Sequence, residues 1–486
     1  MIAAANAWWQ TAQDIWNYDL SGNDNNMMQI VVGLAGMLAS IFIGYIYAKE
    51  IWIAGWQIWT WALTVLIVTA VLLSWPERPL PRLSASALLR TYWPLLLLGL
   101  AGFLLRALWL ETIPGGLHVD EMAFGDFAMR HVYPPDNPGT ISPFRTGWVS
   151  QPSFNSYILR LSFLLGGWNI TALRISSAVA GTLAIFATYA VVAVFQDRKA
   201  ALMAAAVLAT YHYHIQYSRL ALNNIWDTVW VPLMLAAFAW GWRKKWSGGA
   251  VIAGLAAGFS QYFYAGGRIG LLLLPLVALA LYLKDKDRRR LLVHGGKLLV
   301  VFVTVAAPIL IFAMRQPDIY FDRTRIVFGW QPEVITAAIG EYNLPAYLAY
   351  QLWRNFGAFT SVVDITGFYG PNVPFLIGLA APLFIIGFFW AIWKKLYLPV
   401  AWVLLTVLLG GILISGAPSS SHFVVVIPAI CWLVILPLHW LWQRGYQTLA
   451  LAAIMAIMAT DLYFYFFIYV PGSPRDLFNA MPPPPF

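Results

Sequence analysis

Two adjacent carboxylates, Asp120 and Glu121, follow a Pro114-Gly115-Gly116 turn, and Asp126 lies a little further on. Neighbouring acids repel, which lifts one toward the range of a general base or lets the pair share a cation. The plain alternative is two acids facing water. Arg174, Arg219 and Arg268 stand at the ends of apolar stretches, and Arg145, Arg323 and Arg325 lie in segments between them. Each alone reads as a lipid-headgroup anchor whose stem lies in the apolar layer. Together they offer planar, two-pronged donors suited to phosphate. His118 stands two residues before Asp120, and His212 and His214 flank another apolar boundary, but no His-Glu-x-x-His or paired-Cys spacing supports zinc. His422, after Pro418-Ser-Ser-Ser, either caps a helix or touches an anion. Asp461 lies inside the last apolar stretch, as a functional group or a packing partner. Gly254-Leu-Ala-Ala-Gly258 reads as a close helix contact. The sequence has no Walker A motif and no Gly-x-Gly-x-x-Gly after a strand, so no nucleotide fold is expected.

Those residues need a scaffold, and the composition says which kind. The chain has 486 residues, 60% hydrophobic and 10% charged, with mean hydropathy +0.68. Soluble domains are about 45–50% apolar and about 25% charged, so a soluble, disordered or collagen-like chain is excluded. Cys431 is alone, so no internal disulfide forms. A bilayer core of about 30 Å takes roughly 20 apolar residues per helix. Thirteen spans are expected on that rule: 29–48, 51–75, 91–110, 172–195, 200–217, 224–242, 250–266, 268–283, 298–314, 375–393, 398–414, 423–442 and 447–470. The fold class is an all-α polytopic membrane protein. Residues 1–28 carry no Lys or Arg and no short apolar core with a cleavage site, so no signal peptide is expected. Trp8, Trp9 and Trp16 suit a segment lying on the membrane surface.

Charge orients the chain. With the N-terminus cytoplasmic, the inward loops hold 17 of 30 basic residues, including every lysine except Lys49. The net charge of +9 is therefore topology rather than a nucleic-acid footprint, and no nucleic acid is expected as a partner. Two long outer loops remain, 111–171 and 315–374. Loops of that length without a domain of their own are functional or disordered. Leu344, Tyr347, Leu348, Gln351, Leu352 and Asn355 recur at helical spacing, so both loops read as amphipathic helices along the membrane surface. Three regions follow: residues 1–90 with a surface segment and two spans, 91–470 with the main transmembrane unit, and a Pro-rich outer tail, 471–486.

Several segments together resemble the polyprenyl-phosphate-dependent membrane glycosyltransferases of the GT-C fold, in the bacterial branch with the protein O-mannosyltransferases and the lipid A aminoarabinose transferase. They are Pro114-Gly-Gly-Leu-His-Val-Asp-Glu121, Gln151-Pro-Ser-Phe-Asn-Ser-Tyr157, Leu173-Arg-Ile-Ser-Ser-Ala-Val-Ala-Gly181, His214-Ile-Gln-Tyr-Ser-Arg219, Gln261-Tyr-Phe-Tyr-Ala-Gly-Gly-Arg268 and Pro418-Ser-Ser-Ser-His422. They run in the family's order across about residues 91–440. The resemblance implies a polyprenyl-phosphate-linked sugar donor entering from the membrane, surrounding membrane lipids, and an acceptor arriving from outside. It implies Asp120 as general base with Glu121 in support, in a plasma-membrane protein whose active site is extracytoplasmic. Arg174, Arg219, Arg268, Arg145 and His422 are the expected phosphate ligands. His118, Asp126, Gln151, Tyr157 and Tyr264 are the expected sugar or acceptor contacts. If a divalent cation (Mg or Mn) serves, Asp120, Glu121 and His118 are its candidate ligands. The aminoarabinose branch has Arg soon after the acidic pair and Lys before its Pro-Pro turn; here Met122-Ala-Phe124 and Gln151 stand instead, so lipid A modification is not expected. A lipid-linked-sugar transporter would gather polar groups near the midplane, and a non-catalytic subunit of a membrane assembly would not need Asp120. Both remain as rival classes.

Overall fold

The computed structural model describes residues 24–74, 84–134, 136–364, 368–370, 372–472 and 481. The Trp8–Trp16 surface segment and the Pro-rich tail lie outside them, as do Arg78 and Arg82 of the first inward loop. The described chain is almost wholly helical, with one two-stranded sheet. Helix α1 (Asp24–Tyr47) leads through β1 (Trp52–Ile53) to α2 (Gly55–Ser74), and α3 (Ala85–Ala107) opens the main unit. The first outer loop folds into α4 (Val119–His131), β2 (Thr140–Ile141) and α5 (Phe154–Gly166). There follow α6 (Ile170–Phe195), α7 (Arg198–Thr210), α8 (His212–Ser218), α9 (Asp227–Lys244), α10 (Gly248–Ser260), α11 (Gly267–Asp285) and α12 (Arg288–Arg315). The second outer loop holds α13 (Pro317–Tyr320), α14 (Asp322–Val327), α15 (Pro332–Ile339) and α16 (Leu344–Gly357). The chain closes with α17 (Ala380–Trp393), α18 (Tyr397–Ile412), α19 (Ser420–Gln443) and α20 (Gln447–Gly472).

Among the described residues, seven helices are long and apolar enough to cross a membrane: α1 from Met27, α2, α6, α11, α12, α19 and α20. An eighth arises if α17 and α18, bent by 119° at their break, count as one span. Others of the thirteen expected stretches form shorter or broken helices. The stretch 200–217 breaks at Tyr211 into helices of 13 and 7 residues. The stretch 250–266 supplies 13 helical residues and 375–393 supplies 14. Apolar length alone does not distinguish a spanning helix from a short one buried inside a large protein. The all-α, polytopic architecture itself stands.

Caps mark where several helices begin. Asn169 accepts from Ala172 N at 2.7 Å, Asp197 from Lys199 N and Ala200 N at 2.9 Å, and Asp287 from Arg290 N at 2.9 Å, each satisfying donors at a helix start. The outer-loop helices form as expected, but α16 splits the expected series. Tyr347, Gln351 and Asn355 turn inward, whereas Leu344, Leu348 and Leu352 are exposed. The polar face is inward because Gln351 Nε2 reaches Ile414 O at 3.2 Å and Tyr347 OH reaches Gly329 O at 2.8 Å. Helices α1 and α2 are joined to the rest at several points. Ser40 Oγ donates to Thr304 O of α12 at 2.6 Å, Trp61 is buried among Phe144, Phe154, Phe259 and Tyr262, and β1 pairs antiparallel with β2, Trp52 opposite Ile141.

Candidate active site

The acidic pair opens α4. His118 is its N-cap: its ring nitrogen accepts from Asp120 N at 3.1 Å, and its own N–H donates to Glu121 Oε2 at 3.0 Å. That reciprocal box fixes both acids at the first turn and sends them in different directions. Glu121 is fully buried and meets Arg174 through two hydrogen bonds, Nε to Oε1 at 2.8 Å and Nη2 to Oε2 at 3.0 Å; Ala221 N adds a third at 3.0 Å. Burial pushes the carboxyl up, but the Arg174 charge and these donors outweigh it and hold Glu121 below its ordinary range. Asp120 is half-buried, and its carboxylate has no ion pair or hydrogen-bond partner among the described residues.

The arginines divide into two kinds. Arg174 engages all five N–H groups internally, the other three on Leu110 O, Pro114 O and Gly116 O at 2.9, 3.0 and 2.6 Å. Arg219 donates to Leu105 O, Leu108 O, Trp109 O and Ile113 O at 2.6 to 3.2 Å. Arg106, to which the sequence reading gave no role, is fully buried and donates to Gly102 O, Leu208 O, Ala209 O and Ser218 Oγ, with His214 Nδ1 at 2.8 Å. Three guanidiniums thus grip the chain from Gly102 to Glu121. The expectation that Arg174 and Arg219 face a phosphate is not met, because their donors already serve backbone carbonyls.

The second kind lines a cavity of about 1130 Å³ between α11, α12, the α13–α14 segment and the end of α18. Its walls are largely apolar, with Leu271, Leu272, Leu310, Met314, Leu409 and Ile414 among them. Its polar end holds Tyr264, Arg268, Arg323, His422 and Gln151. Arg268 Nη2 donates to Tyr320 OH at 2.8 Å, with the guanidinium 5.0 Å from that ring centroid. No ion pair or hydrogen bond engages Arg323 among the described residues. The sequence placed it in a loop, among several arginines suited together to an anion; the packing of α14 turns it into the cavity. His422 stacks on Tyr264 with ring centroids 6.3 Å apart, and its Nδ1 is buried without a hydrogen-bond partner. Gln151 Oε1 is likewise buried and unpaired. Asp120 and Arg323 both act electrostatically on Tyr264, whose phenol burial pushes up. Ser150 Oγ donates to Asp322 Oδ2 at 2.9 Å, tying the first outer loop to the second at the cavity's edge.

Other expected residues lie apart from the cavity. Asp126 is held by Arg130, whose Nε is 2.8 Å from both carboxylate oxygens. Tyr157 bonds Ile141 O and, at 3.1 Å, Thr140 Oγ1 of β2. Arg145 donates to Thr146 O at 3.3 Å and lies 5.7 Å from the Phe312 ring centroid. A divalent cation on Asp120, Glu121 and His118 does not fit this geometry, since both Glu121 oxygens and the His118 Nδ1 lone pair are already engaged. Among the described residues no three His, Cys, Asp or Glu side chains converge to hold a metal.

Comparison with known proteins comes down on the stretch that bridges the two outer loops. Residues 150–312 match the family model of dolichyl-phosphate-mannose-protein mannosyltransferases. The match covers about a third of the chain and bears out the resemblance to polyprenyl-phosphate-dependent membrane glycosyltransferases. Among solved structures, the chain is similar to the archaeal oligosaccharyltransferase AglB from Archaeoglobus fulgidus, in complex with an inhibitory peptide and a dolichol-phosphate. Identity is 16%, over 79% of this chain and 56% of that one, with a TM-score of 0.47. It is also similar to ArnT from Cupriavidus metallidurans bound to undecaprenyl phosphate, at 16% identity over 78% and 64%, TM-score 0.48. A third is the arabinosyltransferase EmbB from Mycobacterium smegmatis, at 14% identity over 78% and 34%, TM-score 0.43. The chain spans less than two-thirds of the length of each of these. No curated protein matches it.

Proposed function

We propose that this chain is an integral-membrane GT-C glycosyltransferase that moves a sugar from a polyprenyl-phosphate donor to an acceptor hydroxyl, on the extracytoplasmic face of the plasma membrane. The observation that carries the reading is the cavity. Apolar walls suited to an isoprenoid share the lining with Arg268, Arg323 and His422, and the charge of the unpaired Asp120 reaches Tyr264 of the same lining. The family match over residues 150–312 supports the donor class, and the lysine-rich loops on the opposite side support the orientation.

The chemistry follows from these groups. Asp120 takes the proton of the acceptor hydroxyl as its oxygen attacks the anomeric carbon. The carbon–oxygen bond to the phosphate breaks, and its electron pair leaves with polyprenyl phosphate. Attack opposite the leaving group inverts the anomeric centre. A positioned general base contributes typically 10²–10⁴-fold. Arg268 and Arg323, both lining the cavity, stabilise the charge that grows on the departing phosphate. Glu121 and Arg174 act by holding the turn that presents Asp120. The test is donor consumption and product formation by purified protein in lipid. Asp120→Asn should abolish transfer while folded yield and polyprenyl-phosphate binding persist, and wild-type turnover by that variant would overturn the assignment.

A further inference from the structure

The intramembrane acid Asp461 has no part in the chemistry above, yet it belongs to a buried polar assembly that ends at the acidic pair. Asp461 Oδ1 lies 3.5 Å from His212 Nε2. His212 Nδ1 bonds the hydroxyl of Tyr369, and the two rings stack at 5.7 Å. The carbonyl of Tyr369 accepts from Tyr469 OH at 2.7 Å. One residue back, Phe368 O accepts from Gln216 Nε2 at 3.2 Å, and Gln216 Oε1 accepts from Tyr465 OH at 2.9 Å. The Phe368 ring then packs on His118 at 4.5 Å, and His118 caps the helix that carries Asp120.

Asp461, Tyr465 and Tyr469 come from one helix at spacings of four, which keeps them on one face toward the same loop. The helix runs as π-helix over Phe464–Tyr469. Wide turns of this kind inside α-helices recur at functional sites. Buried polar groups in a lipid-embedded helix are costly unless they serve one another; here Tyr469 bonds Tyr369 O, Tyr465 reaches Phe368 O through Gln216, and Asp461 faces His212, which bonds Tyr369. We infer that Asp461 and His212 are positioning residues: through Tyr369 and Phe368 they fix His118, and with it the first turn of α4 and the Asp120 carboxylate. The inference rests on the transferase reading for its kinetic arm only.

The test uses full-length protein in lipid and three variants. Asp461→Leu removes the acid, Asp461→Asn keeps a side chain able to donate to His212, and Phe368→Ala cuts the link without touching the pair. Misplacing a reacting group by about 1 Å costs on the order of 10²-fold. The expected result is kcat lower by about 10- to 100-fold in Asp461→Leu and Phe368→Ala, with donor KM unchanged and Asp461→Asn near wild type. Amide hydrogen exchange at residues 368–370 and 118–121 should rise in the two damaged variants. Packing alone would lower thermal stability without splitting kcat from KM. Wild-type kcat in Phe368→Ala, or unchanged exchange at 118–121, would overturn the inference; Phe368→Ala keeps it testable if Asp461→Leu does not fold. Wild-type protein without transfer activity would instead refute the transferase reading, and exchange would then decide the coupling by itself.

Discussion

Arg174→Met is the perturbation that best separates a clamp from a phosphate ligand. In the structure Arg174 is fully buried, and each of its five donors has an internal acceptor. Removing it leaves the Glu121 carboxylate buried without its counter-ion, which costs about 3–5 kcal/mol for pairs of this kind. The carbonyls of Leu110, Pro114 and Gly116 also lose a donor, at about 1–3 kcal/mol for each group left dry, although such losses overlap and do not sum. Replacing both partners, as Arg174→Met with Glu121→Leu, removes the stranded charge and should recover most of the first loss. The remaining deficit should be about 1–3 kcal/mol, from the carbonyls. The double-mutant cycle should therefore show a coupling of at least about 2 kcal/mol. The assay is the fraction of monodisperse protein surviving a heating series in detergent, paired with binding of polyprenyl phosphate at low temperature. Wild-type stability in Arg174→Met together with lost lipid-phosphate binding would refute the reasoning and return Arg174 to the phosphate site.

The cavity arginines should behave in the opposite way. Arg323→Ala should weaken polyprenyl-phosphate binding by about 10- to 100-fold, as expected for one charge-assisted contact of about 1.5–3 kcal/mol, with no loss of heat resistance; unaltered affinity would remove it from the site. Arg268→Ala should weaken binding similarly and also free Tyr320, which a change in that tyrosine's ultraviolet absorbance would report. Because Glu121 is held below its ordinary value of 4.5 in the folded chain, its contribution to stability is complete above that value and is lost as pH falls through the lower folded one. Acid denaturation should therefore be steeper in the wild type than in Glu121→Gln, measured between about pH 5 and pH 2; parallel curves would contradict the pair's ionised state.

Much of this was legible in residue types and little of it in their partners. Hydropathy identified a polytopic helical chain, because apolar length is a local property. It did not give helix lengths, because segments such as Gly248–Ser260 form short helices packed against α9 and α12. The Pro114–Glu121 segment stands out in the sequence as a candidate site, from its turn and its acids. Which acid stays available was not legible, since that depends on Arg174, 53 residues away, reaching Glu121 rather than Asp120. Arginines at span ends look alike in sequence. Whether a guanidinium meets carbonyls, as Arg219 does, or an open cavity, as Arg323 does, is settled by how helices far apart in the chain pack together. Asp461 stood out as an acid in an apolar run, but its neighbours in space come from residues 212 and 369.

The bond between Ser40 and Thr304 joins residues 264 positions apart. At a synthesis rate of roughly 5–20 residues per second, helix α1 waits on the order of 10–50 s in the membrane before α12 is made. During that interval its buried face, Ser40 included, meets lipid or the insertion machinery rather than its native neighbour. The first helix is thus locked in place only once α12 is made, whereas the strand pairing at Trp52, which braces the first outer loop, needs the chain only as far as Ile141.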